Sequence, residues 1–293
     1  MFGLKPLAAR LLAGRPVNFA VRRIARHAAP ETRLRMPLSM PQVEYRQRVG
    51  PVLLLDPKVD VVARDIYWGG RRPQSAADAL VLRAVEMLCS EGCTFLDIGS
   101  YSGLFALVAA RSSEATRAIA FEIVPENFLL IWRNIIANGV AGQVRAMLTG
   151  IGDEPGSIRM PTRLGLASLA TSMSIGSQFS EGIEVPLVML DSVAGDIAGP
   201  LVMKIDVEGF EGAVFRGGAE TVRRLRPDIV CEILGSATEF EEIDAFLKPL
   251  GYRFLQARAD GFHEAERLAP TPECRDWLLS CRPDIMKLTA QAA

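Results

Sequence analysis

A doubly wound, mostly parallel α/β sheet is the fold this sequence predicts, and three observations predict it. From Ser75 onward, short apolar runs of strand length alternate with longer segments of helical period, the pattern of parallel strands covered by helices. Two early runs end on an acid, Asp97 and Glu122, where an open α/β sheet gathers its ligands. Between Asp153 and Val193 the helical period lapses into Gly, Ser, Thr and Pro around two alternating runs, which predicts an inserted hairpin.

Taken in order, the chain opens with a basic lead-in and cap over residues 1–74, followed by the α/β domain over residues 75–293. The lead-in carries Lys5, Arg10, Arg15, Arg22, Arg23, Arg26, Arg33 and Arg35 against a single acid, Glu31. A solvated helix lying loosely on the domain is the plainer reading of it, and an amphipathic helix touching an anionic membrane surface is the other. The apolar run Leu7 to Ala13 is short and broken by Arg10, which argues against a signal peptide. Pro30, Pro37 and Pro41 break the lead-in, and a turn-rich linker or cap runs on through Asp56, Pro57 and Tyr67-Trp68-Gly69-Gly70.

Ser75, with Asp78 three positions on, caps a helix whose Leu80, Val81, Ala84, Val85 and Leu88 share one face, ending at Gly92. Strand Thr94 to Ile98, helix Leu104 to Ala110 and strand Ala118 to Phe121 follow. The next helix, Pro125 to Asn138, has proline in its first turn and Gly139 past its end. Val144 to Leu148 is a strand, and Ser157 to Met160 with Ile183 to Leu190 is the hairpin. The parallel pattern resumes with strand Leu201 to Asp206, helix Phe210 to Leu225, strand Asp228 to Ile233 and helix Glu239 to Leu250. Tyr252 to Leu255 and Trp277 to Leu279 make a final strand pair, for seven strands in the sheet.

Composition narrows the function. With 293 residues, 49% of them hydrophobic, and a formal net charge of −1, the chain has neither a disordered composition nor a basic field for nucleic acid. Cys89, Cys93, Cys231, Cys274 and Cys281 form no CxxC pair, and His27 and His263 are too few for a zinc cluster. Scattered, odd-numbered cysteines predict a reducing, cytoplasmic setting. No run approaches the roughly 18 apolar residues of a membrane span.

The densest chemistry lies in Phe95-Leu96-Asp97-Ile98-Gly99-Ser100-Tyr101-Ser102-Gly103, a buried strand running into an acid and a glycine-bearing turn. Asp97 stands where the GxGxxG dinucleotide fingerprint has its first glycine, and a carboxylate there repels a pyrophosphate. A cofactor with a cationic amino group and no phosphate, such as S-adenosylmethionine, makes that acid useful. Glu122, closing the next strand in Ala120-Phe121-Glu122, can accept both hydroxyls of an adenosyl ribose. The bland alternatives are a helix cap for Asp97 and a solvated strand end for Glu122; their joint spacing favours the cofactor.

These motifs resemble the FkbM-type methyltransferases. The resemblance is carried by Asp97-Ile98-Gly99 with Gly103, by Phe121-Glu122 with Pro125-Glu126-Asn127, Asn134 and Asn138-Gly139, and above all by Lys204-Ile205-Asp206-Val207-Glu208-Gly209-Phe210-Glu211. It covers roughly residues 65 to 255. It implies a seven-stranded, Rossmann-like methyltransferase sheet, S-adenosylmethionine as cofactor, and methylation of a hydroxyl on a sugar or secondary-metabolite-like small molecule. It also implies that Gly99, Ser100 and Gly103 line the methionine end, Glu122 the ribose with Asn127 nearby, and Asp153 the adenine. Ser100-Tyr101-Ser102 departs from the family's usual small residue, asparagine and small residue, so Tyr101 reshapes that turn.

Lys204, Asp206 and Glu208 fall at the end of the fourth parallel strand and in its turn, where the methyl group should face the acceptor. An alcohol methylates poorly unless its proton is removed or polarised. Asp206 or Glu208 can be that base, or the two can hold a divalent cation through oxygen ligands. Lys204 can equally form an internal ion pair that orders the strand end. Glu232, an acid inside an apolar strand, is a further catalytic or substrate-binding candidate, or a partner for Lys204. His263 is a candidate base on a late loop, and Tyr67 and Trp68 can close over the cofactor or anchor the cap. Two competing functions use the same features: a nicotinamide-dependent oxidoreductase, which the missing GxGxxG disfavours, and a non-catalytic adaptor that binds a membrane or partner through its basic lead-in.

Overall fold

The computed structural model describes residues 15–36, 38–163, 173–177, 179–234, 236–271 and 274–292. Lys5, Arg10, the run Leu7 to Ala13 and Pro37 lie outside the described residues. No described helix is long and apolar enough to cross a membrane.

The lead-in begins with helices α1 (Arg15–Ala25) and α2 (Pro30–Leu34). Asn18 Oδ1 accepts from Ser39 N at 3.0 Å and the Arg22 guanidinium reaches Tyr67 Oη at 3.3 Å, so α1 is seated on the domain. The stretch expected to be a turn-rich linker or cap is a hairpin, β1 (Gln42–Arg46) with β2 (Pro51–Leu55), followed by helix α3 (Val61–Trp68). Proline is tolerated here because Pro51 opens an edge strand. Asp60 caps α3 by accepting from Val62 N at 2.8 Å, and Tyr67 and Trp68 belong to its last turn. Val43, Tyr45, Val52, Leu54, Ala63 and Ile66 join the same apolar cluster as the covering helices of the sheet.

The α/β part follows the predicted alternation: α4 (Ala76–Leu88), β3 (Thr94–Ile98), α5 (Leu104–Ser112), β4 (Arg117–Glu122), α6 (Pro125–Asn138) and β5 (Val144–Leu148). Ser75 caps α4 by accepting from Asp78 N, as the sequence predicts. The insertion is a three-stranded sheet of β6 (Gly150–Gly152), β7 (Gly156–Met160) and β8 (Ile183–Met189), with β7 and β8 antiparallel. Then come α7 (Leu190–Ala194), β9 (Leu201–Ile205), α8 (Glu211–Gly217), α9 (Ala219–Leu225), β10 (Asp228–Glu232), α10 (Ala237–Leu247), β11 (Arg253–Arg258), β12 (Gly261–Ala265), β13 (Asp276–Ser280) and α11 (Ile285–Ala292).

The main sheet runs β12–β11–β13–β10–β9–β3–β4–β5, parallel from β10 to β5 and antiparallel at the other end. The seven expected strands are present and β12 adds an eighth at the edge. His263 therefore sits on a strand opposite Gln256, not on a loop. One face of the sheet is covered by α4, α5, α6 and α11 and the other by α7, α8, α9 and α10, each over its own apolar cluster. The helix predicted from Phe210 to Leu225 is broken in two. The break falls at Gly217 and Gly218, where a Cβ would lie 2.0 Å from the Gly152 carbonyl oxygen and 2.5 Å from Leu190 respectively, so glycine lets β6 and α7 approach closely at this point.

Candidate active site

Both acids of the sequence argument lie at the carboxyl end of the parallel strands, the end where such sheets bind ligands. The turn after β3 hangs on β4, since Gly99 N and Ser100 N both donate to the Phe121 carbonyl at 3.1 and 3.0 Å. Gly99 has a φ of +78°, and a Cβ there would stand 1.7 Å from the Asp206 carbonyl oxygen. Only glycine lets β9 end against this turn. That contact brings Asp206 beside the first motif.

Asp97 is fully buried. Its Oδ2 accepts from Ser100 Oγ at 2.6 Å and from Ala106 N at 3.1 Å, so it holds the turn and the first turn of α5. Burial raises its pKa, and Lys204, its register partner on β9, opposes that rise. Ser100 faces Asp97, and Gly103 faces Ile131. These three residues build the turn from behind.

In front of the turn, Gly99, Tyr101, Glu122, Asn127, Asp206 and Glu208 line one small cavity of about 60 Å³, closed on its far side by Thr149, Gly150 and Met173 to Ile175. Space of that size holds a water or two. Glu122 is 6% exposed; one oxygen accepts from Tyr101 N and the other from Val124 N, both at 2.8 Å. Burial lifts its pKa to about 7, against those hydrogen bonds and a weaker one from Asn127. Tyr101, at a φ of +52°, reshapes the turn by tying it to the cap: its hydroxyl accepts from Val61 N at 3.1 Å, at the start of α3. Glu208 also has a positive φ, +55°, and burial followed by the charge of Asp206 raises its pKa.

Lys204 and Asp206 point to the same side of β9, as strand alternation requires. Lys204 Nζ donates to Asp206 Oδ2 at 2.7 Å and to the Gly99 carbonyl at 3.3 Å, clasping the end of β9 to the first turn. Desolvation pulls the ammonium pKa down, but the charges of Asp206 and Asp97 outweigh it and hold the group above the ordinary lysine range. The internal ion pair is thus formed with Asp206. Glu232 is not bonded to Lys204; its cation is Arg275, 3.9 Å away.

Lys204, Asp206 and Glu232 line a second cavity of about 340 Å³, walled by α3 and α4, with Asp65, Asp78 and Asp276 also on its surface. Asp276 was not singled out by sequence. It faces Glu232 directly across the antiparallel pair β10–β13. Burial first, then the neighbouring carboxylates, push Glu232 to about 8 and Asp276 to about 7. Glu232 and Asp276, facing each other in this space, therefore share protons near neutral pH.

Other candidates lie elsewhere. Asp153 is not beside the small cavity; it pairs with Arg216 at 2.9 Å. His263 Nε2 lies 2.8 Å from Asp260 Oδ1 and lines neither cavity. Asn134 and Asn138, carried by the family resemblance, are structural: Asn134 accepts from Leu55 N at 2.9 Å and donates to the Ser102 carbonyl, while Asn138 bonds both N and O of Leu53 at 2.8 Å. They satisfy the edge of β2 and fasten the hairpin to the domain. Among the described residues, no group of three or more His, Cys, Asp or Glu side chains is arranged to hold a metal ion.

A sheet of this strand order, with acids at the tips of β3 and β4 and a Lys-Asp clasp at the end of β9, has the organisation of a Rossmann-like methyltransferase. Residues 97–254 match the Methyltransferase FkbM domain. The chain belongs to the FkbM methyltransferase family, which sets aside the nicotinamide-dependent reading. A curated relative, Methyltransferase 1 of Beauveria bassiana (strain ARSEF 2860), is 25% identical over 185 residues, 56% of this chain and 74% of the relative. The crystal structure of Methyltransferase FkbM from Methylobacillus flagellatus KT overlays with a TM-score of 0.43 at 15% identity, over 65% of this chain and 44% of that one. This chain thus spans under half the length of that solved structure. A SAM-dependent O-methyltransferase from Thermotoga maritima overlays with a TM-score of 0.35 at 14% identity, over 69% of this chain and 65% of its own.

Proposed function

We propose that the protein transfers a methyl group from S-adenosylmethionine to a hydroxyl of a small polyhydroxylated acceptor, such as a saccharide. The observation that carries this reading is that Asp206 lines both cavities, the small one at Glu122 and the larger acidic one at Glu232. A group at that shared wall touches donor and acceptor alike.

The donor set fits the cofactor. Each oxygen of Glu122 has one backbone N–H and keeps further lone-pair capacity toward the cavity, which suits the paired hydroxyls of a ribose. Asn127 steadies that carboxylate. When bound, the cofactor supplies a methyl group already made electrophilic by its sulfonium. The chain supplies alignment and a proton acceptor. Lys204 fixes Asp206 in one orientation and Asp206 takes up the proton of the acceptor hydroxyl; Glu232 and Asp276 receive or return it. Carboxyl groups accept hydrogen bonds when ionised and also donate one when protonated, so a cavity walled by Asp65, Asp78, Glu232 and Asp276 suits an acceptor rich in hydroxyls, which do both.

Transfer of a labelled methyl group to a panel of sugars and polyols, by wild type and Asp206→Asn, tests the proposal. The expected result is label on oxygen, with the variant slowed by about 100-fold or more, the contribution of a positioned base. Label on nitrogen or carbon, or an unimpaired variant, contradicts it.

A further inference from the structure

A third cavity, of about 710 Å³, opens on the other side of α4 and is larger than either of those above. Ala76, Ala79, Leu80 and Arg83 of α4 line it, while Asp78, Val81 and Leu82 of the same helix line the acidic cavity. Pro73 borders both. The two spaces are therefore neighbours, separated by the width of a helix.

Their charges are opposite. Arg46, Arg48, Arg72 and Arg83 surround the larger cavity. Among the described residues, the guanidinium groups of Arg46, Arg48 and Arg72 make no hydrogen bond or ion pair, and Arg83 donates only to the Gln291 carbonyl at 3.2 Å. Two acids share the wall, and both are engaged: Glu86 accepts from Arg48 N at 2.6 Å, and Asp260 holds His263.

An independent observation marks this space as a binding site. Gln47, which lines it, is only 8% exposed, and both its amide oxygen and its amide nitrogen lack any partner. A buried carboxamide with neither hydrogen bond made is rare, because desolvating it without compensation is costly. A ligand that accepts from Nε2 and donates to, or bridges by water to, Oε1 removes that cost.

We propose that this cavity anchors a phosphate or diphosphate group of the acceptor, so that the substrate class is a phosphorylated polyhydroxyl compound. Guanidinium forks match phosphate oxygens two at a time, and several unpaired forks around one space suit a diphosphate better than a single small anion. The neighbouring acidic cavity repels the same phosphate, so the two charges orient the molecule with its hydroxyl end toward Asp206. The anchoring site stands on its own geometry; its assignment to the acceptor rests on the reading of the acidic cavity given above.

Calorimetric titration of the full chain with inorganic pyrophosphate, without cofactor, tests the site. Wild type should give saturable binding that weakens with added salt, and Arg46→Gln with Arg72→Gln should weaken it by about tenfold or more, the loss of two charge-assisted contacts. Gln47→Leu should weaken it as well while raising the melting temperature, a pairing that a purely structural glutamine would not give. No saturable binding up to millimolar pyrophosphate, or binding unchanged in the variants, overturns the site. A separate titration with S-adenosylmethionine keeps the two claims apart, since its failure removes the transferase reading and leaves the anion site standing. In transfer assays a phosphorylated sugar should show a lower KM than its unphosphorylated parent, and equal values overturn the assignment to the acceptor.

Discussion

With Glu122 holding the cofactor ribose as proposed, stability and cofactor affinity are predicted to respond oppositely to pH. In the native protein its pKa is raised from an ordinary 4.5 to about 7, with burial as the main cause. The native state therefore keeps a proton that the unfolded chain releases. That contribution to stability is fully present below pH 4.5 and is lost as pH rises through about 7. At about 1.4 kcal/mol for each pH unit between the two values, the ionised carboxylate costs the native state ~3 kcal/mol above pH 8. On the proposed reading binding runs the other way, because it is the ionised form that would accept both ribose hydroxyls.

Asp60, Glu232 and Asp276 also titrate in this range, so the informative quantity is the difference between wild type and Glu122→Gln. The carboxamide keeps only one oxygen to accept from the two backbone N–H donors of Tyr101 and Val124, a fixed offset of about 1–3 kcal/mol that does not vary with pH. Urea unfolding of both proteins at pH 5 and pH 8 should show wild type losing about 2.5 kcal/mol relative to the variant, since part of the full cost is already present at pH 5. Over the same interval cofactor affinity should rise for wild type and stay flat and weak for the variant. A stability difference that does not change with pH would refute the argument that desolvation dominates at Glu122.

Lys204→Met removes the cation that neutralises Asp97 and Asp206; chemical denaturation should show a loss of about 3–5 kcal/mol, the cost of stranding buried charge, and a fully stable variant would contradict the clasp. Asn138→Ala leaves the Leu53 N–H and C=O unpaired and should cost about 1–3 kcal/mol in thermal denaturation, with cofactor affinity unchanged when measured by calorimetry. Glu232→Gln removes one charge from the carboxyl cluster, so the apparent pKa in the pH profile of kcat/KM should fall by about one unit; an unmoved profile would separate Glu232 from the chemistry.

The carboxyl-end motifs were legible in sequence because each is local: a strand, an acid and a glycine within a few residues. Ser75 and Gly139 as helix boundaries were legible for the same reason. Asp276 was not, because its chemistry arises only when β13 pairs antiparallel with β10 and sets it opposite Glu232. The clasp of Lys204 on the Gly99 carbonyl likewise depends on β3 and β9 lying side by side, which chain order does not reveal. The β1–β2 hairpin carried a period-two signal in Val43, Tyr45, Val52 and Leu54, but Pro41 and Pro51 at its strand ends masked it. The partner of Asp153 was not legible either, because Arg216 lies far along the chain and meets it only in the fold.

Titration calorimetry with S-adenosylmethionine, on wild type and Glu122→Ala, tests the central claim most directly. Saturable one-to-one binding by wild type, weakened by about tenfold or more in the variant through loss of two hydrogen bonds to a charged group, is the predicted result. Absence of saturable heat with wild type, or equal affinity in the two proteins, would contradict it.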